Sequence, residues 1–429
     1  MKKVIPARTG MPPVRRSEPP GHPEKREGGW HAPTFAIPDV LQSMSMAKSP
    51  TLEEVLAPRT GPAAPELVET LADGKIRCHA CGHRCRIADG FKGVCKVRYN
   101  EGGILRVPRG YVAGLQCDPI EKKPFFHAFA GHDAFSFGML GCDLHCGYCQ
   151  NWVTSQALRD PAAVAPPRDV SPRELVTLAR RLGAPVMVST YNEPLITAEW
   201  GVEVFREARA AGITCGFVSN GNATERVLAY LRPHVDLYKV DLKGFDDRRY
   251  RDLGGLLSNV LASIERIHAA GFWLEVVTLV VPGFNDSEAE LRAAAKFLAG
   301  VSKDIPWHVT AYHEDYKMGG NGGTDAAALL RAAAYGKEAG LRHVYAGNLP
   351  GETGEFEHTW CPECRNVLVE RHGYRILDYR IRAEARFIPG VGVDPAPGPG
   401  RCPDCNASIA GRWLDKPGGG PGLVRALGI

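Results

Sequence analysis

The sequence predicts an α/β fold, in which parallel strands alternate with outer helices and small cysteine-rich modules stand at both ends. Between residues 134 and 350, short apolar segments alternate with helical stripes, and this alternation is typical of a parallel sheet. Six or seven such units favour a barrel, complete or partial, whose chemistry sits at the carboxyl ends of its strands. Eleven of the 13 cysteines fall into four close groups spaced like metal ligands, which predicts the flanking modules.

Residues 1–65 contain 12 prolines and follow neither a helical nor a strand period, so we expect a disordered, weakly basic tail. Residues 1–30 hold seven basic and three acidic side chains, which accounts for the whole net charge of +4. Because the rest of the chain is near neutral, a nucleic-acid-binding body is disfavoured. There is no run of 18 apolar residues and no secretory signal near the start, so we expect a cytoplasmic protein outside the membrane.

Four segments follow the tail. Residues 66–133 form a lead-in with four cysteines, 134–350 the barrel, 351–415 a second cysteine module and 416–429 a flexible tail. Apolar segments predict the barrel strands at 134–140, 186–190, 214–219, 235–242, 273–281, 307–312 and 343–347. Helices are predicted at about 197–211, 224–231, 259–270 and 325–339, and capping boxes open two more at Ser171 to Glu174 and Ser287 to Glu290.

The strongest signal is a cysteine triplet directly after the first barrel strand. Cys142, Cys146 and Cys149 are spaced CxxxCxxC. Three thiolates this close can ligate three irons of a 4Fe-4S cubane and leave the fourth iron open for chemistry. The alternative is a zinc site that His145 or a distant ligand completes.

The triplet, with Tyr148 just before its third cysteine, resembles the signature of the radical S-adenosylmethionine (SAM) enzymes. In that family the open iron binds SAM, and an electron from the cluster cleaves it to a 5′-deoxyadenosyl radical that abstracts hydrogen from a substrate. The family fold, a partial (β/α)6 barrel, agrees with the alternation described above. The resemblance implies the cofactors 4Fe-4S cluster and SAM, and an electron donor of the flavodoxin or ferredoxin type.

The resemblance extends over about residues 75–415. DPIEKKPFFH (118–127), TYNEP (190–194) and CPDCNASIAGRW (402–413) occur in the same order as in the radical SAM member of the AmmeMemoRadiSam group. That group is related to the pyruvate formate-lyase-activating enzymes. The resemblance implies Memo-like and AMMECR-like proteins as partners, and it leaves the substrate open.

Several polar residues at predicted strand ends resemble the positions that bind SAM in this family. The family has a Gly-Gly-Glu segment whose acid meets the SAM ammonium; here the segment reads Tyr-Asn-Glu, so the backbone approach must differ. Each candidate has a plain structural alternative, such as a helix cap for Glu193, a mutual ion pair for Lys243, simple packing for Tyr148 and an ordinary strand-end residue for His313. The candidates are Tyr148, Asn192, Glu193, Asn220, Asp241, Lys243 and His313.

Two further cysteine sets predict closed metal sites. Cys361, Cys364, Cys402 and Cys405 form two CPxC knuckles of the zinc-ribbon type, and a predicted strand pair at 367–381 lies between them. Four sulfurs fill a zinc shell, so we expect a structural zinc site, with an electron-relay cluster as the rival. Cys78, Cys81, Cys85 and Cys95 predict zinc or an auxiliary iron–sulfur cluster, and His79 or His83 can replace one ligand.

The remaining candidates are single residues and one loop. We expect Cys117 and Cys215 to be core residues. Lys122, Lys123 and His127 line the site entrance or bind an anionic substrate; the alternative is a solvated basic turn. The glycines of 319–323 do not follow a strand closely, so we expect a mobile loop there.

Three functions are consistent with these patterns. The first is a radical SAM enzyme with an unidentified substrate. The second is a glycyl-radical enzyme activase of the pyruvate formate-lyase-activating type. The third is a zinc-knuckle module that binds RNA or protein, with the barrel as its scaffold; the near-neutral charge beyond residue 30 disfavours it.

Overall fold

The central element of the fold is a nine-stranded mixed sheet, and seven of its strands run parallel. The structure is a computed structural model that describes residues 50–320, 322–384, 386–388, 392–394, 398–419 and 425–426. The predicted tail at 1–49 lies outside these residues.

The N-terminal region folds into two small antiparallel sheets with the strand orders β1-β6-β5 and β2-β3-β4. Its elements are α1 (Leu52–Leu56), β1 (Thr60–Pro62), β2 (Val68–Thr70), β3 (Ile76–Cys78), β4 (Arg86–Ile87), β5 (Tyr99–Glu101), β6 (Ile104–Pro108) and β7 (Tyr111–Val112). Thr51 caps α1 through a capping box with Glu54. The prediction of disorder through residue 65 is therefore wrong for residues 50–65, whose prolines end short elements rather than prevent them.

The central sheet begins with β8 (Gly114–Pro119), which runs antiparallel to β9 (Asp133–Gly138). The sheet therefore starts before the predicted boundary at residue 134. The other elements of this region are α2 (Trp152–Ser155), β10 (Arg168–Asp169), α3 (Pro172–Arg181), β11 (Val186–Ser189), α4 (Ala198–Ala210), β12 (Thr214–Ser219), α5 (Glu225–Leu231), β13 (Leu237–Asp241), α6 (Asp247–Asp252), α7 (Leu257–Ala269), β14 (Trp273–Val280), α8 (Glu288–Val301), β15 (Trp307–Ala311), α9 (Ala326–Glu338) and β16 (Val344–Gly347).

Strands β9, β11, β12, β13, β14, β15 and β16 pair in this order, each parallel to the next. Helices connect them, so six strand–helix units and a closing seventh strand form the predicted α/β fold, a partial (β/α)6 barrel. The strands are short apolar runs because both faces of such a sheet are covered. All four residues of β11 and all five of β15 are buried.

The two predicted capping boxes have different outcomes. Ser171 and Glu174 form the predicted capping box at α3. At α8, Ser287 accepts the Glu290 N–H at 3.3 Å, but the Glu290 carboxylate accepts the N–H of Phe245 instead of returning to Ser287. The second capping box is therefore only half formed, because a loop from another unit competes for the acid.

The C-terminal region consists of small antiparallel sheets. Its strands are β17 (Thr359–Trp360), β18 (Val367–His372), β19 (Arg375–Tyr379), β20 (Arg382–Ala383), β21 (Arg386–Ile388), β22 (Gly392–Asp394), β23 (Gly398–Arg401), β24 (Ser408–Trp413) and β25 (Arg425–Ala426). The predicted strand pair is present as β18 and β19. Within the predicted tail 416–429, the backbone of β25 pairs with Gln116 and Cys117 of β8.

Arg371 of β18 joins the C-terminal region to the barrel. Its side chain is fully buried, donates to the Phe126 carbonyl at 2.9 Å and lies over the Phe126 ring at 4.5 Å. Its Nε lies 3.8 Å from a Glu121 oxygen. This guanidinium therefore joins β18 to the segment that holds Glu121 and Phe126. Among the described residues, none of the helices combines the length and the apolar character that a membrane span needs.

Candidate active site and metal-binding cysteines

A cavity of about 560 Å³ opens at the carboxyl ends of the parallel strands. Thr190 follows β11, Asp241 ends β13 and Gly347 ends β16, and all three line it. Its volume is typical of small-molecule sites. The cavity wall includes eight residues that the sequence singles out: Lys122, Lys123, Cys146, Tyr148, Cys149, Asp241, Lys243 and His313. Five other candidates for this site lie outside the wall: His127, Cys142, Asn192, Glu193 and Asn220.

The cysteine triplet occupies the loop between β9 and α2. Gly141 begins it at φ 95°, and a Cβ there would lie 2.9 Å from the Val97 side chain, so only glycine fits. The Leu144 N–H donates to Cys142 Sγ at 3.4 Å, and Cys149 Sγ lies 3.1 Å from the Ser155 hydroxyl. These contacts hold the sulfurs of Cys142 and Cys149 within the loop, and Cys149 lines the cavity.

His145 does not join the triplet. Its exposed ring packs against Gly254, where an added Cβ would lie 2.4 Å from the imidazole. Among the described residues, His145 and the three cysteines do not bring their ligand atoms within the 4.8 Å that a single ion needs. The arrangement therefore gives no support to the zinc alternative for this loop.

Asp143 holds the triplet loop in place through hydrogen bonds of its buried side chain. Its side chain is fully buried and accepts hydrogen bonds from the side-chain amides of Asn220 at 2.7 Å and Asn222 at 2.8 Å. Burial raises the pKa of Cys142 well above its usual value, and the Asp143 charge adds to this rise. Asn220 thus acts on the triplet through Asp143. The sequence reasoning missed Asp143 and Asn222, although an acid beside Cys142 and the run SNGN were visible.

Glu193 is joined to this network through the backbone N–H of Asn220. Its carboxylate accepts hydrogen bonds from the Ser219 hydroxyl at 2.7 Å, the Asn220 N–H at 2.8 Å and the Leu195 N–H at 3.1 Å. Burial, and then the nearby Asp143, raise its pKa to about 8. The Leu195 bond caps the 3-10 helix Pro194–Thr197, so the structural alternative for Glu193 is present in the molecule.

The segment before Glu193 keeps a glycine-like backbone in spite of its sequence. Tyr191 has φ 71°, which is the left-handed region that glycine favours. Asn192 accepts the Met139 N–H at 2.9 Å and so ties this turn to the end of β9. Tyr191 therefore adopts a backbone conformation that is rare for a residue with a side chain, directly before Asn192 and Glu193.

Two lysines share one aspartate at the end of β13. Asp241 forms ion pairs with Lys239 and, at 3.0 Å, with Lys243. Burial by itself would raise the pKa of Asp241, but the two ammonium groups outweigh it and lower the pKa to about 2. Burial raises the pKa of Cys146 to about 12, and the Lys243 charge opposes that rise. One positive charge therefore remains beside the triplet, and Lys239, which the sequence reasoning missed, helps to supply it.

Tyr148 and His313 both line the cavity, but Tyr148 is buried and His313 is exposed. Tyr148 is 2% exposed, its ring packs against Phe284 at 5.2 Å, and its hydroxyl has no hydrogen-bond partner among the described residues. His313 is exposed and stacks on Tyr312 with the ring centroids 6.4 Å apart. His313 follows β15 by two residues, whereas Tyr148 lies in the loop after β9, where its ring is packed as the structural alternative expects.

The basic run at 122–127 is not a solvated turn. Lys123 is 5% exposed and donates to Asp118 at 2.9 Å and to the Tyr191 hydroxyl at 3.2 Å. Burial lowers the pKa of Lys123 to about 8, although the negative charge of Asp118 acts to raise it. Lys122 lies 3.2 Å from the same Asp118. His127 is buried outside the cavity wall, 2.5 Å from the Tyr345 hydroxyl, so the expectation that it lines the entrance is wrong.

The four C-terminal sulfurs converge on one point. The sulfurs of Cys361 and Cys405 lie 3.5 Å apart, those of Cys364 and Cys402 lie 3.6 Å apart, and all four lie within 4.8 Å of one another. Ligands of one tetrahedral ion with metal–sulfur bonds of about 2.3 Å are separated by about 3.8 Å. This set can therefore hold a single metal ion.

The two knuckles have the same local structure. In each, the residue after the second cysteine, Arg365 or Asn406, has φ 63° and donates its N–H to the carbonyl of the first cysteine. Asp404 ties the knuckles together, because it accepts from Asn366 at 2.9 Å and from Arg380 at 2.7 Å. The repeated CPxC sequence thus produces a repeated turn.

The N-terminal cysteines are spaced more widely. Among the described residues, the sulfurs of Cys78, Cys81, Cys85 and Cys95 are not gathered within 4.8 Å of one another. The Nε2 atom of His79 is bonded to Glu69 at 2.9 Å, and that of His83 lies 3.1 Å from the Asp143 carbonyl. These two contacts turn both Nε2 atoms toward other groups.

This cysteine loop packs directly on the barrel. The Gly82 N–H donates to the Asn222 carbonyl at 2.7 Å. Arg98, which is 1% exposed, donates to the two oxygens of Glu199 on α4 at 2.7 and 2.6 Å. Asp143 contributes to the raised pKa of Cys81, after burial, and also to that of Cys142. One carboxylate therefore stands between the N-terminal set and the triplet.

Cys117 and Cys215 are fully buried members of the barrel core, as predicted. In the glycine run at 319–323, Asn321 lies outside the described residues. The Gly320 and Gly322 N–H groups both donate to the Glu314 carboxylate at 2.7 Å.

Comparison with known proteins agrees with this geometry. Residues 138–298 match the Radical SAM superfamily. An uncharacterized protein of Methanocaldococcus jannaschii is 34% identical over 330 residues, which cover 76% of this chain and 97% of that protein. The benzylsuccinate synthase activating enzyme of Thauera aromatica is 33% identical over 125 residues, 28% of this chain and 36% of that enzyme. A pyruvate formate-lyase-activating enzyme of Staphylococcus epidermidis is 26% identical over 186 residues, 41% of this chain and 72% of that enzyme.

The matched region runs from the last residue of β9 into α8, and it contains the triplet with the carboxyl ends of β11, β12 and β13. The likeness therefore covers the loop and the strand ends that surround the cavity. The chain belongs to the radical SAM superfamily, whose members use a 4Fe-4S cluster and SAM, and it is related to the pyruvate formate-lyase-activating enzymes.

Proposed function

We propose that Cys142, Cys146 and Cys149 hold a 4Fe-4S cluster and that the protein uses SAM to abstract hydrogen from a substrate in the cavity. The observation that carries this proposal is the position of the triplet. Cys146 and Cys149 line the cavity at the end of β9, and the Lys243 charge acts on both. The sulfurs are not gathered around a single ion, and three thiolates leave one iron of a cubane open.

When bound, the cluster supplies the electron that cleaves SAM reductively to a 5′-deoxyadenosyl radical. The residues of the chain bind and orient SAM and the substrate. Asp241 and Glu193 would be the carboxylates for the SAM ammonium, Lys243 would pair with the SAM carboxylate, and the Tyr148 ring would offer a face to the adenine. Asn220 positions the loop through Asp143, and Asn192 holds the turn that carries Glu193. His313 contacts the adenosine or the substrate from the exposed side.

The metal at the C-terminal knuckles is proposed to be zinc, in a structural role. Sulfur separations of 3.5 and 3.6 Å suit one tetrahedral ion, and the ion adds folding free energy to a module with a small core. For the N-terminal set, zinc and an auxiliary iron–sulfur cluster remain the two candidates. The wider sulfur spacing and the shared neighbour Asp143 favour the auxiliary cluster.

A glycyl-radical activase is the second candidate function, because two of the relatives carry activating-enzyme names. Membership of the AmmeMemoRadiSam group, with Memo-like and AMMECR-like partners, is proposed from the motif order at 118–127, 190–194 and 402–413. A flavodoxin- or ferredoxin-type protein is proposed as the electron donor.

Anaerobic reconstitution of two cysteine variants tests the central proposal. Cys146→Ala should lose the reducible cluster and the SAM-dependent formation of 5′-deoxyadenosine, while the metal of the C-terminal knuckles stays. Cys215→Ala removes a thiol from the core and is the matched control, since it should keep both. Full SAM cleavage by Cys146→Ala would show that the triplet is not the cluster site.

A further inference from the structure

The charged side chains of the cavity wall differ in how much of their surface a ligand can reach. The lysines and acids that line the cavity are Lys122, Lys123, Lys239, Lys243, Glu121, Asp241 and Glu357. Four of them are at most 6% exposed: Lys123, Lys239, Glu121 and Glu357. The side chains of Lys122 and Asp241 are 28% exposed, and that of Lys243 is 18% exposed. Among the lysines and acids of the described wall, a ligand therefore meets these three first.

Two of the three accessible groups already have a proposed ligand. In the proposed function, Asp241 and Lys243 hold the ammonium and the carboxylate of SAM at the triplet end of the cavity. Lys122 remains, and the binding of SAM does not use it. The accessible lysine or acid that the wall keeps for the substrate is therefore a cation.

The ammonium of Lys122 lies at a different level of the barrel from the triplet. Lys122 ends the 3-10 helix that follows β8, and its Nζ atom lies 3.2 Å from Asp118. Asp118 pairs with Ala134, the second residue of β9, whereas the triplet follows Gly138, the last residue of that strand. This separation leaves room for a substrate that contacts Lys122 with one group and turns its reactive carbon toward the triplet.

Lys122 has a hydrogen-bond donor to spare. Its ammonium donates to Gln116 Oε1 at 3.1 Å and pairs with Asp118 Oδ2. An ammonium group has three N–H donors, so one is left for a ligand. Asp118 is also shared, because Lys123 donates to the same oxygen at 2.9 Å. Two cations therefore share one carboxylate, and one positive charge is left over on this part of the wall.

The other acids near the cavity have partners of their own. Asp241 pairs with two lysines, as described above. Glu275 accepts four hydrogen bonds, and Glu357 accepts two backbone N–H groups at 2.6 and 2.9 Å. Glu121 has no exposed side-chain surface and lies 3.8 Å from the Arg371 guanidinium. Within the described residues, none of these four acids forms an ion pair with Lys122 or Lys123, so the excess positive charge stays where it is.

We infer that Lys122 binds an anionic oxygen group of the substrate, a carboxylate or a phosphate, on the part of the cavity wall away from the triplet. The inference rests on the proposed function, because it assigns the substrate end of the same cavity. The free N–H of Lys122 donates to the anion, and the charges on both partners strengthen that hydrogen bond. Lys122 binds and selects the substrate; it takes no part in SAM cleavage.

Small probes that share one carbon chain test the inference on the reconstituted holoenzyme. The cluster is kept oxidised and SAM is saturating, so that SAM is not cleaved and its own charged groups are already placed. Sodium butyrate, butyl phosphate, 1-butanol and butylammonium chloride differ in the head group, and calorimetry measures the dissociation constant of each. We expect at least one anion to bind about tenfold or more tightly than the alcohol, and the ammonium to bind most weakly. The tighter anion identifies the head group.

Lys122→Met keeps an apolar chain of similar length and removes the charge. The variant should lose the preference for the anion, with a fall in anion affinity of about tenfold, whereas Lys122→Arg should keep it. Iron content and melting temperature report that each variant is folded and loaded. Lys337→Met is the matched control, because Lys337 is also a partly exposed lysine paired with one carboxylate, Glu355 at 3.1 Å, but lies outside the cavity wall. It should keep the affinities of the wild type.

Two results overturn the inference: equal affinities of the wild type for the anions and the alcohol, or an unchanged anion affinity in Lys122→Met. The first would mean that Asp118 neutralises Lys122 on its own, and the second that the anion binds another group. The wild-type comparison does not depend on the variant being folded. A wild type that cleaves SAM but shows no anion preference refutes only this inference, whereas a wild type that fails to cleave SAM refutes the proposed function.

Discussion

Glu193→Gln distinguishes a SAM ligand from a helix cap at the carboxyl end of β11. The carboxylate accepts three hydrogen bonds, from Ser219, Asn220 and Leu195. A carboxylate has about four lone-pair sites, so one site is left for an ammonium group. If Glu193 has both roles, the substitution lowers both the stability of the fold and the affinity for SAM.

The stability change follows from the geometry. Ser219 and Leu195 both donate to Oε1, so the amide oxygen of glutamine takes that position. The amide NH₂ then faces the Asn220 N–H, which loses its acceptor. A buried donor without an acceptor costs about 1–3 kcal/mol of unfolding free energy. Urea denaturation of the reconstituted protein measures this difference.

Burial and Asp143 raise the pKa of Glu193 to about 8, so the ammonium of SAM has to stabilise the charged form of the carboxylate. The change in SAM affinity follows from that charge. A charge-assisted hydrogen bond is worth roughly 1.5–3 kcal/mol, so the dissociation constant should rise about tenfold to a hundredfold at unchanged iron content. Calorimetry measures it. Ser219→Ala is the matched control, because it removes one hydrogen bond from the same carboxylate and leaves the charge. Its stability should fall by about 1 kcal/mol while its SAM affinity stays that of the wild type.

One outcome refutes the assignment. If Glu193→Gln loses stability but binds SAM as the wild type does, Glu193 only holds the 3-10 helix Pro194–Thr197. Asp241 would then be the carboxylate to test.

Two further predictions concern the flanking modules. Cys364→Ala should release the metal of the C-terminal knuckles and open that module to protease while the cluster spectrum stays; a variant that keeps its metal and fold but loses electron transfer would identify a redox site instead. Arg98→Met leaves Glu199 buried without its partner and should cost about 3–5 kcal/mol in urea denaturation, whereas Arg98→Met with Glu199→Met should regain much of this loss. A cost below about 1 kcal/mol for the single variant would contradict the buried ion pair.

The parallel strands are predictable because their residues are apolar and buried on both faces. The predicted segment 214–219 coincides with β12, and 273–281 exceeds β14 by one residue. The same reasoning missed α6, Asp247–Asp252, because six mostly charged residues have no apolar period. The capping box predicted at α8 is also incomplete, because the Glu290 carboxylate accepts the N–H of Phe245 on another unit.

Strand-end residues were predictable as a set, but their partners were not. Asp241 and Lys243 follow from the rule that parallel strands end at one edge, and both line the cavity. The burial of Lys123 depends on Asp118 and Tyr191, and that of Glu121 on Arg371 from the far end of the chain. No periodicity records a contact between segments so distant in sequence.

The position of Arg371 has a consequence for the order of assembly. Ribosomal synthesis delivers all seven parallel strands before Arg371, and early segments fold first. The seven parallel strands are therefore all made before Gly373 and Tyr374, which line the cavity from the C-terminal region, and before β25, the strand that pairs with β8. A chain that ends before Arg371 has every parallel strand of the sheet but lacks these two residues of the cavity wall.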